Sequence, residues 1–173
     1  MKIFGYGDEG KTRLIGCNLD KTSDVVALLG FLDELNSFIG FSRSLLNEKL
    51  KDVDEILKEI QNHIFLISSE IAGAKLEKKI EEKEVKWLEE LIIKYENEVG
   101  EIHNFIYPTG SIQASSLHLA RAICRNVERN AFLLKEKLRK EVLSYLNRLS
   151  DVLFVFARVS NKRLNFKEEI WKL

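Results

Sequence analysis

Proline is nearly absent from this 173-residue chain, with Pro108 the one example, so long helices can run without the residue that most often breaks them. Cysteine is scarce too. Cys17 and Cys124 stand far apart with no C-x-x-C and no nearby histidine pair, which excludes a disulfide scaffold and gives no zinc pattern. Cys124, within an apolar segment, reads as a small core residue. Net charge is also missing: 27 Lys plus Arg balance 27 Asp plus Glu. A global basic field for nucleic acid or an anionic membrane surface is thereby excluded, and any anion site must come from local placement of cations. No apolar run approaches the roughly 20 residues of a bilayer span, and MKIFGYGDEGKTR has no apolar signal core. A cytoplasmic protein without membrane segments is the expectation.

What is present is an ordinary globular mix, 45% hydrophobic and 31% charged, at a length that suits one domain over residues 1–173. Residues 1–22 carry four glycines and no helical period, predicting an irregular arm. Beyond it, apolar spacing and caps predict five helices near 24–46, 52–74, 82–99, 111–135 and 141–161. The first is apolar on most of its circumference, with Asp33, Glu34 and Asn36 embedded. That pattern predicts a central helix, or one covered by another subunit. No glycine or proline separates the last two, yet a continuous rod would be about 75 Å long, so a break is expected at 136–140. The fold class is all-α: a five-helix antiparallel bundle with a glycine-rich arm.

The arm satisfies the phosphate-loop expression G-x-x-x-x-G-K-[ST] from Gly5 to Thr12. Its context rejects that fold, because four residues precede Gly5 and no set of parallel strands follows. A glycine-rich arm still offers backbone N–H groups to phosphate oxygens. The fourth helix is more informative. SSLHLARAICRNVERNAFLL places Arg121, Arg125 and Arg129 at i, i+4 and i+8, flanked by His118 and Glu128. Arginine presents a planar multi-donor fork to carboxylate or phosphate and keeps its charge when buried. The row is read either as a structural ion-pair ladder or as a polyphosphate site. On the fifth helix, Asn147, Asp151 and Arg158 lie among apolar residues, and such groups need partners. Asp33 is a natural partner for one arginine. His63, His103 and His118 are scattered and read as structural. No triad, metal cluster or carboxylate pair stands out.

Three blocks together resemble the PduO-type ATP:corrinoid adenosyltransferase family: GDEGKTRLIG followed by LDELNSFIGF, then FIYPTGSIQASSLHLARAICRNVER, then YLNRLSDVLFVFAR. They span about residues 5–160 in family order. The resemblance implies a homotrimer with intersubunit active sites. It implies a reaction in which cob(I)alamin or a related corrinoid attacks the 5′-carbon of ATP, forming a cobalt–carbon bond and releasing triphosphate. Magnesium is expected on ATP, with no metal ligands from protein side chains, and a reductase is a possible partner. The implied ATP contacts are Gly5, Tyr6, Gly7, Asp8, Gly10 and Thr12 in the arm, with Lys21. Arg125, Glu128, Arg129 and Asn147 complete the nucleotide side. Arg125, Asp33 and Arg121 form the implied catalytic set: Arg125 stabilises the departing triphosphate, and Asp33 pairs with Arg121 between subunits. Phe105 and Phe154 match aromatic residues on the corrinoid side.

The chain departs from the family pattern in three places. Phe4 and Gly5 occupy the Thr and Lys positions of T-K-x-G-D-x-G, Asn126 replaces the second arginine of R-R-x-E-R, and Pro108-Thr109-Gly110 stands for P-G-G. Each lost charged hydrogen bond is worth roughly 1.5–3 kcal/mol. The alternative implied is a catalytically weak relative that binds corrinoid or nucleotide.

Overall fold

The computed structural model of the chain describes residues 7–14 and 17–172. Two short strands, β1 (Lys11–Leu14) and β2 (Cys17–Asp20), precede five helices. These are α1 (Asp24–Leu45), α2 (Lys51–Ile71), α3 (Glu82–Val99), α4 (Ile112–Leu133) and α5 (Lys140–Arg163). Ser23 caps α1 by accepting from the Val26 N–H, Ser111 caps α4 by accepting from Ala114, and Glu81 and Glu84 form a capping box on α3. The expected break falls between α4 and α5, where Leu134–Arg139 turn the chain back.

The arm differs from the irregular segment expected. β1 and β2 pair antiparallel, in register Lys11↔Asp20 to Leu14↔Cys17. Strands of four residues between glycines are too short for period to reveal them. Thr12 thus lies in an antiparallel hairpin, so the phosphate-loop fold is absent, as its context required.

The centre of the bundle is α5, not α1. Fourteen residues of α5 are buried against six of α1, and α5 packs against α3 and α4 while α1 packs against α2 and α4. The open side of α1 carries Ala27, Gly30 and Phe41, the last 51% exposed. Of the two expectations for α1, the central position is therefore not met: one chain covers only part of its apolar surface. The expectation that no segment is apolar enough to span a bilayer is also corrected. By length and composition α1 qualifies, with 22 residues and a hydropathy of 1.4, although only 33% of that window is buried. Its leucines, valines, isoleucine and phenylalanines raise the mean, while Asp33 and Glu34 sit at its middle, where each acidic residue costs about 2.5–3.5 kcal/mol at a bilayer centre.

The polar groups of α5 tie the bundle together. The Tyr145 hydroxyl lies 2.9 Å from His63 Nδ1 on α2, and the His63 ring meets Trp87 of α3 edge-on. Near its C-terminus Arg163 binds Asp52 of α2 at 2.6 Å and Glu98 of α3 at 2.8 Å, while Tyr95 donates to the same Asp52 at 2.8 Å. Asn161 holds the turn before α4, accepting from the Ser111 N–H and donating to the Thr109 carbonyl, both at 2.9 Å. Between them Gly110 has φ +124°, and a Cβ there would lie 2.2 Å from Asn161 Oδ1. Gly110→Ala is therefore expected to destabilise the fold by about 1–3 kcal/mol from backbone strain alone, measured as a lower urea midpoint.

Two histidines make stability depend on pH. Burial lowers the pKa of His63 against the opposing pull of Glu59 and Glu84. Burial, with Arg121 nearby, pushes His118 down to about 4. Both groups bind protons more readily in the unfolded chain, so their contribution is complete above about pH 6.5 and is lost as pH falls. For His118 the loss runs from about 6.5 to about 4. Thermal melts are expected to show Tm falling over that window, and His118→Leu to flatten the fall. An unchanged slope in that variant would refute the assignment.

Candidate active site

Helices α4 and α5 form one wall of a cavity of about 1020 Å³. Arg121 and Arg125 enter from α4, and Ser150, Asp151 and Phe154 from α5. These side chains converge because residues four apart share a helix face. The opposite wall is not helical: it consists of residues 102–106, including Phe105, and of the C-terminal residues Ile170, Trp171 and Lys172. Phe105 is 78% exposed and meets Trp171 edge-on, with ring centroids 6.1 Å apart.

The electrostatics of the inner wall are unusual. Arg121 is half-buried, its Nε has no hydrogen-bond partner, and its guanidinium lies 5.7 Å from the centre of the Phe154 ring. Burial, then the neighbouring charge of Arg125, lowers its pKa. Behind Phe154 sits His118, 3% exposed, with neither ring nitrogen hydrogen-bonded. Its depressed pKa keeps it neutral, so the wall gains no third cation there. Desolvation raises the pKa of Asp151, against the pull of Arg148, Arg125 and Arg121. Two guanidinium groups beside an apolar, aromatic surface form a place where an anion is stabilised strongly.

One further turn along, Glu128 accepts a 2.7 Å hydrogen bond from Asn147. Asn147 also accepts from Arg148, which is paired with Glu89 of α3 at 3.0 Å. The expected nucleotide side thus has a preset Glu128–Asn147 pair. Arg129 does not join Arg121 and Arg125 in the cavity; it is exposed and donates to Asn126 Oδ1 at 3.3 Å. The reason is helical drift: each i+4 step advances about 40°, so Arg129 is turned roughly 80° from Arg121.

Asp33 and Arg121 do not meet within the chain. Asp33 is exposed and lines a separate, smaller groove between α1 and α2, beside Asn36, Phe65 and Ser68. Among the described residues it forms no ion pair. In the arm, Gly10 N–H donates to the Gly7 carbonyl at 3.1 Å, and Lys21 N–H to the Gly10 carbonyl at 2.8 Å. The Lys21 amine packs directly on Gly7, where a Cβ would come within 3.1 Å of it. Gly7, Gly10 and Lys21 are therefore clustered, with Asp8 in the turn and Thr12 on β1. Gly5 and Tyr6 lie outside the described residues. No group of three or more His, Cys, Asp or Glu side chains could hold a metal ion among the described residues.

Sequence reasoning missed the outer wall beyond Phe105. Ile170, Trp171 and Lys172 follow the last helix with no periodicity, and their pairing with residues 102–106 is non-local. The concentration of apolar residues after the end of α5 was the available signal.

Comparisons with known proteins bear on the family and the fold. The family model for cobalamin adenosyltransferase matches residues 3–160. A corrinoid adenosyltransferase of Bacillus subtilis is 42% identical over 170 residues, covering 94% of this chain and 88% of that protein. A phenylalanine-to-alanine variant of the PduO-type ATP:corrinoid adenosyltransferase of Lactobacillus reuteri, solved with cobalamin and ATP, superposes with a TM-score of 0.90. It is 35% identical, and the match covers 96% of this chain and 97% of that one. A phenylalanine-to-histidine variant of the same enzyme, with the same two ligands, gives 0.91. A match over nearly the whole length, in sequence and in fold, means that this chain belongs to the cobalamin adenosyltransferase family.

Proposed function

We infer that the chain is an ATP:corrinoid adenosyltransferase, which transfers the 5′-deoxyadenosyl group of ATP to the cobalt of a reduced corrinoid such as cob(I)alamin. The observation that carries this reading is the cavity in which Arg121 and Arg125 face an aromatic wall, on a chain of this family. Its volume, about 1020 Å³, is at the upper end for small-molecule sites, and its lining is mostly apolar with a few convergent polar groups. That suits a large macrocycle beside a polyanion.

The nucleophile belongs to the substrate. The cobalt electron pair forms the bond to C5′ as the C5′–O bond breaks, and the electrons of that broken bond leave on the triphosphate oxygen. The protein therefore needs no Ser, Cys or His nucleophile. Its task is to align cobalt with C5′ and to stabilise charge on the leaving group. Arg125 is assigned the second role, since it is exposed in the cavity and has no protein hydrogen-bond or ion-pair partner among the described residues. Glu128, Asn147 and Arg129 are assigned to the nucleotide, with the arm residues Gly5, Tyr6, Gly7, Asp8, Gly10, Thr12 and Lys21 around its phosphates. Magnesium would be carried by those phosphates, as that ion prefers. Phe105 and Phe154 are assigned to the corrinoid.

We further propose a homotrimer. Its support is that Asp33 and Arg121 open onto different cavities of one chain, and that α1 leaves Phe41 and its small-residue side uncovered. An Asp33–Arg121 pair between copies uses both features, and places α1 at an interface between copies rather than in a bilayer. A cytoplasmic location and a separate reductase for the corrinoid belong to the same proposal. The weak-relative alternative is favoured by one observation, that Asn126 stands where an arginine is expected and holds Arg129 by a hydrogen bond.

An anaerobic absorbance assay with reduced corrinoid and MgATP decides between them. Formation of the cobalt–carbon product is expected; ATP binding without product would establish the weak relative. Arg125→Ala is expected to lower turnover roughly 10–150-fold, the value of one charged hydrogen bond of about 1.5–3 kcal/mol. Its urea midpoint is expected to stay near the parent's, because the side chain is exposed. Equal turnover would remove Arg125 from the catalytic set.

A further inference from the structure

The outer wall of the cavity has little to hold it. Residues 102–106 and the C-terminal tail pair through one isolated antiparallel bridge, Ile106↔Ile170. Two backbone bonds accompany it: Tyr107 N–H to the Glu169 carbonyl at 2.9 Å, and Trp171 N–H to the Phe105 carbonyl at 2.8 Å. A two-stranded pairing this short is marginal in water by itself. Yet it carries Phe105 and Trp171, the two rings that face Phe154 across the cavity.

The support comes from one buried guanidinium. Arg158, 5% exposed on α5, donates from Nε and Nη2 to the two carboxylate oxygens of Glu168, at 2.8 and 3.2 Å. Its Nη1 donates to the Gly100 carbonyl at 2.9 Å. A single side chain therefore fastens the start of the 101–106 segment and the tail immediately before Glu169. Asn161 secures the other end of each segment: its side chain holds Thr109 and Ser111, and its carbonyl accepts from the Phe166 N–H at 2.8 Å. Phe154 and Arg158 are four residues apart, on one face of α5. The inner wall and the anchor of the outer wall thus sit on the same helix, and the gap between the walls is set there. The Glu128–Asn147 pair on the nucleotide side shares no hydrogen bond with this anchor.

We propose that Arg158 and Glu168 are positioning residues for the corrinoid: their ion pair fixes the outer wall, and with it the spacing between Phe105, Trp171 and Phe154. The pair touches neither substrate and acts through the wall. This inference rests on the corrinoid reading of the cavity. Removing the carboxylate leaves Arg158 buried and unpaired, which releases the tail.

The test uses the full chain in a Trp87→Phe background, so that Trp171 is the single tryptophan. Glu168→Gln is expected to make Trp171 emission more accessible to acrylamide without any substrate. It is also expected to raise KM for the corrinoid roughly tenfold or more, the value of a charged hydrogen bond, with KM for ATP within about twofold. Glu168→Asp, which keeps the carboxylate, is expected to recover much of the corrinoid KM. Circular dichroism melts identify a variant that merely fails to fold, and the aspartate variant then carries the test. A corrinoid KM unchanged by Glu168→Gln, or one that rises in parallel with that for ATP, would overturn the proposal. If the parent forms no cobalt–carbon product, the functional reading fails instead. The pair is then judged by cobalamin quenching of Trp171, where equal affinity in parent and variant overturns it.

Discussion

Burial of α5 along nearly its whole length is the constraint from which the other features follow. A helix covered on most sides has no solvent face on which to place its polar residues, and an unpaired buried charge costs several kcal/mol. Its buried serines, Ser150 and Ser160, bond back to carbonyls of the helix itself, while its larger polar groups are matched by neighbouring elements. Tyr145 is matched by His63, Asn161 by the turn before α4, Arg158 by the tail and the end of α3, and Arg163 by Asp52 and Glu98. These pairs fall at intervals along the helix, so they fix the lengthwise register of the surrounding helices and loops. Packing alone, being non-directional, would leave that register loosely defined.

The same matching is left incomplete on the cavity side. Arg121 and Arg125 stand one turn apart, burial and then the charge of Arg125 lower the pKa of Arg121, and Asp151 is the carboxylate placed to offset them. Desolvation raises its pKa, and it is one carboxylate against two guanidinium groups. His118 behind them stays neutral over the physiological range. A site whose cations outweigh their protein counter-charges binds a polyanion with a gain that an ion-paired ladder would forgo. That difference separates the polyphosphate reading of the arginine row from the structural one.

Helix number, caps and the break after α4 were legible in the sequence because they depend on local spacing and on single residues such as Ser23 and Ser111. So were Arg121, Arg125, Phe105 and Phe154, through motifs that have a fixed place on the bundle. What escaped was non-local or too short. The β1–β2 hairpin has four-residue strands, and the outer wall joins residues 64 positions apart at Ile106 and Ile170. Which helix is central was not legible for a different reason. Apolar residues on all sides do not say what covers them, and within the single chain α1 is covered by α2 and α4 on part of its surface only. Arg129 shows the limit of counting by fours: over eight residues the drift is enough to move a side chain off the face it was assigned to.

Asn126 bears on how far the family mechanism carries over. Its Oδ1 accepts from both Arg129 and Asn130, each at 3.3 Å, so the residue that replaces an arginine also ties down the next one. A guanidinium held by a neutral amide keeps its full charge and spends one donor, whereas a carboxylate partner would neutralise it. Arg129 therefore remains available to a phosphate, pre-oriented at small entropic cost. The chain has lost one cation beside the site and restrained another, while Arg125 and the Glu128–Asn147 pair are positioned independently of that exchange.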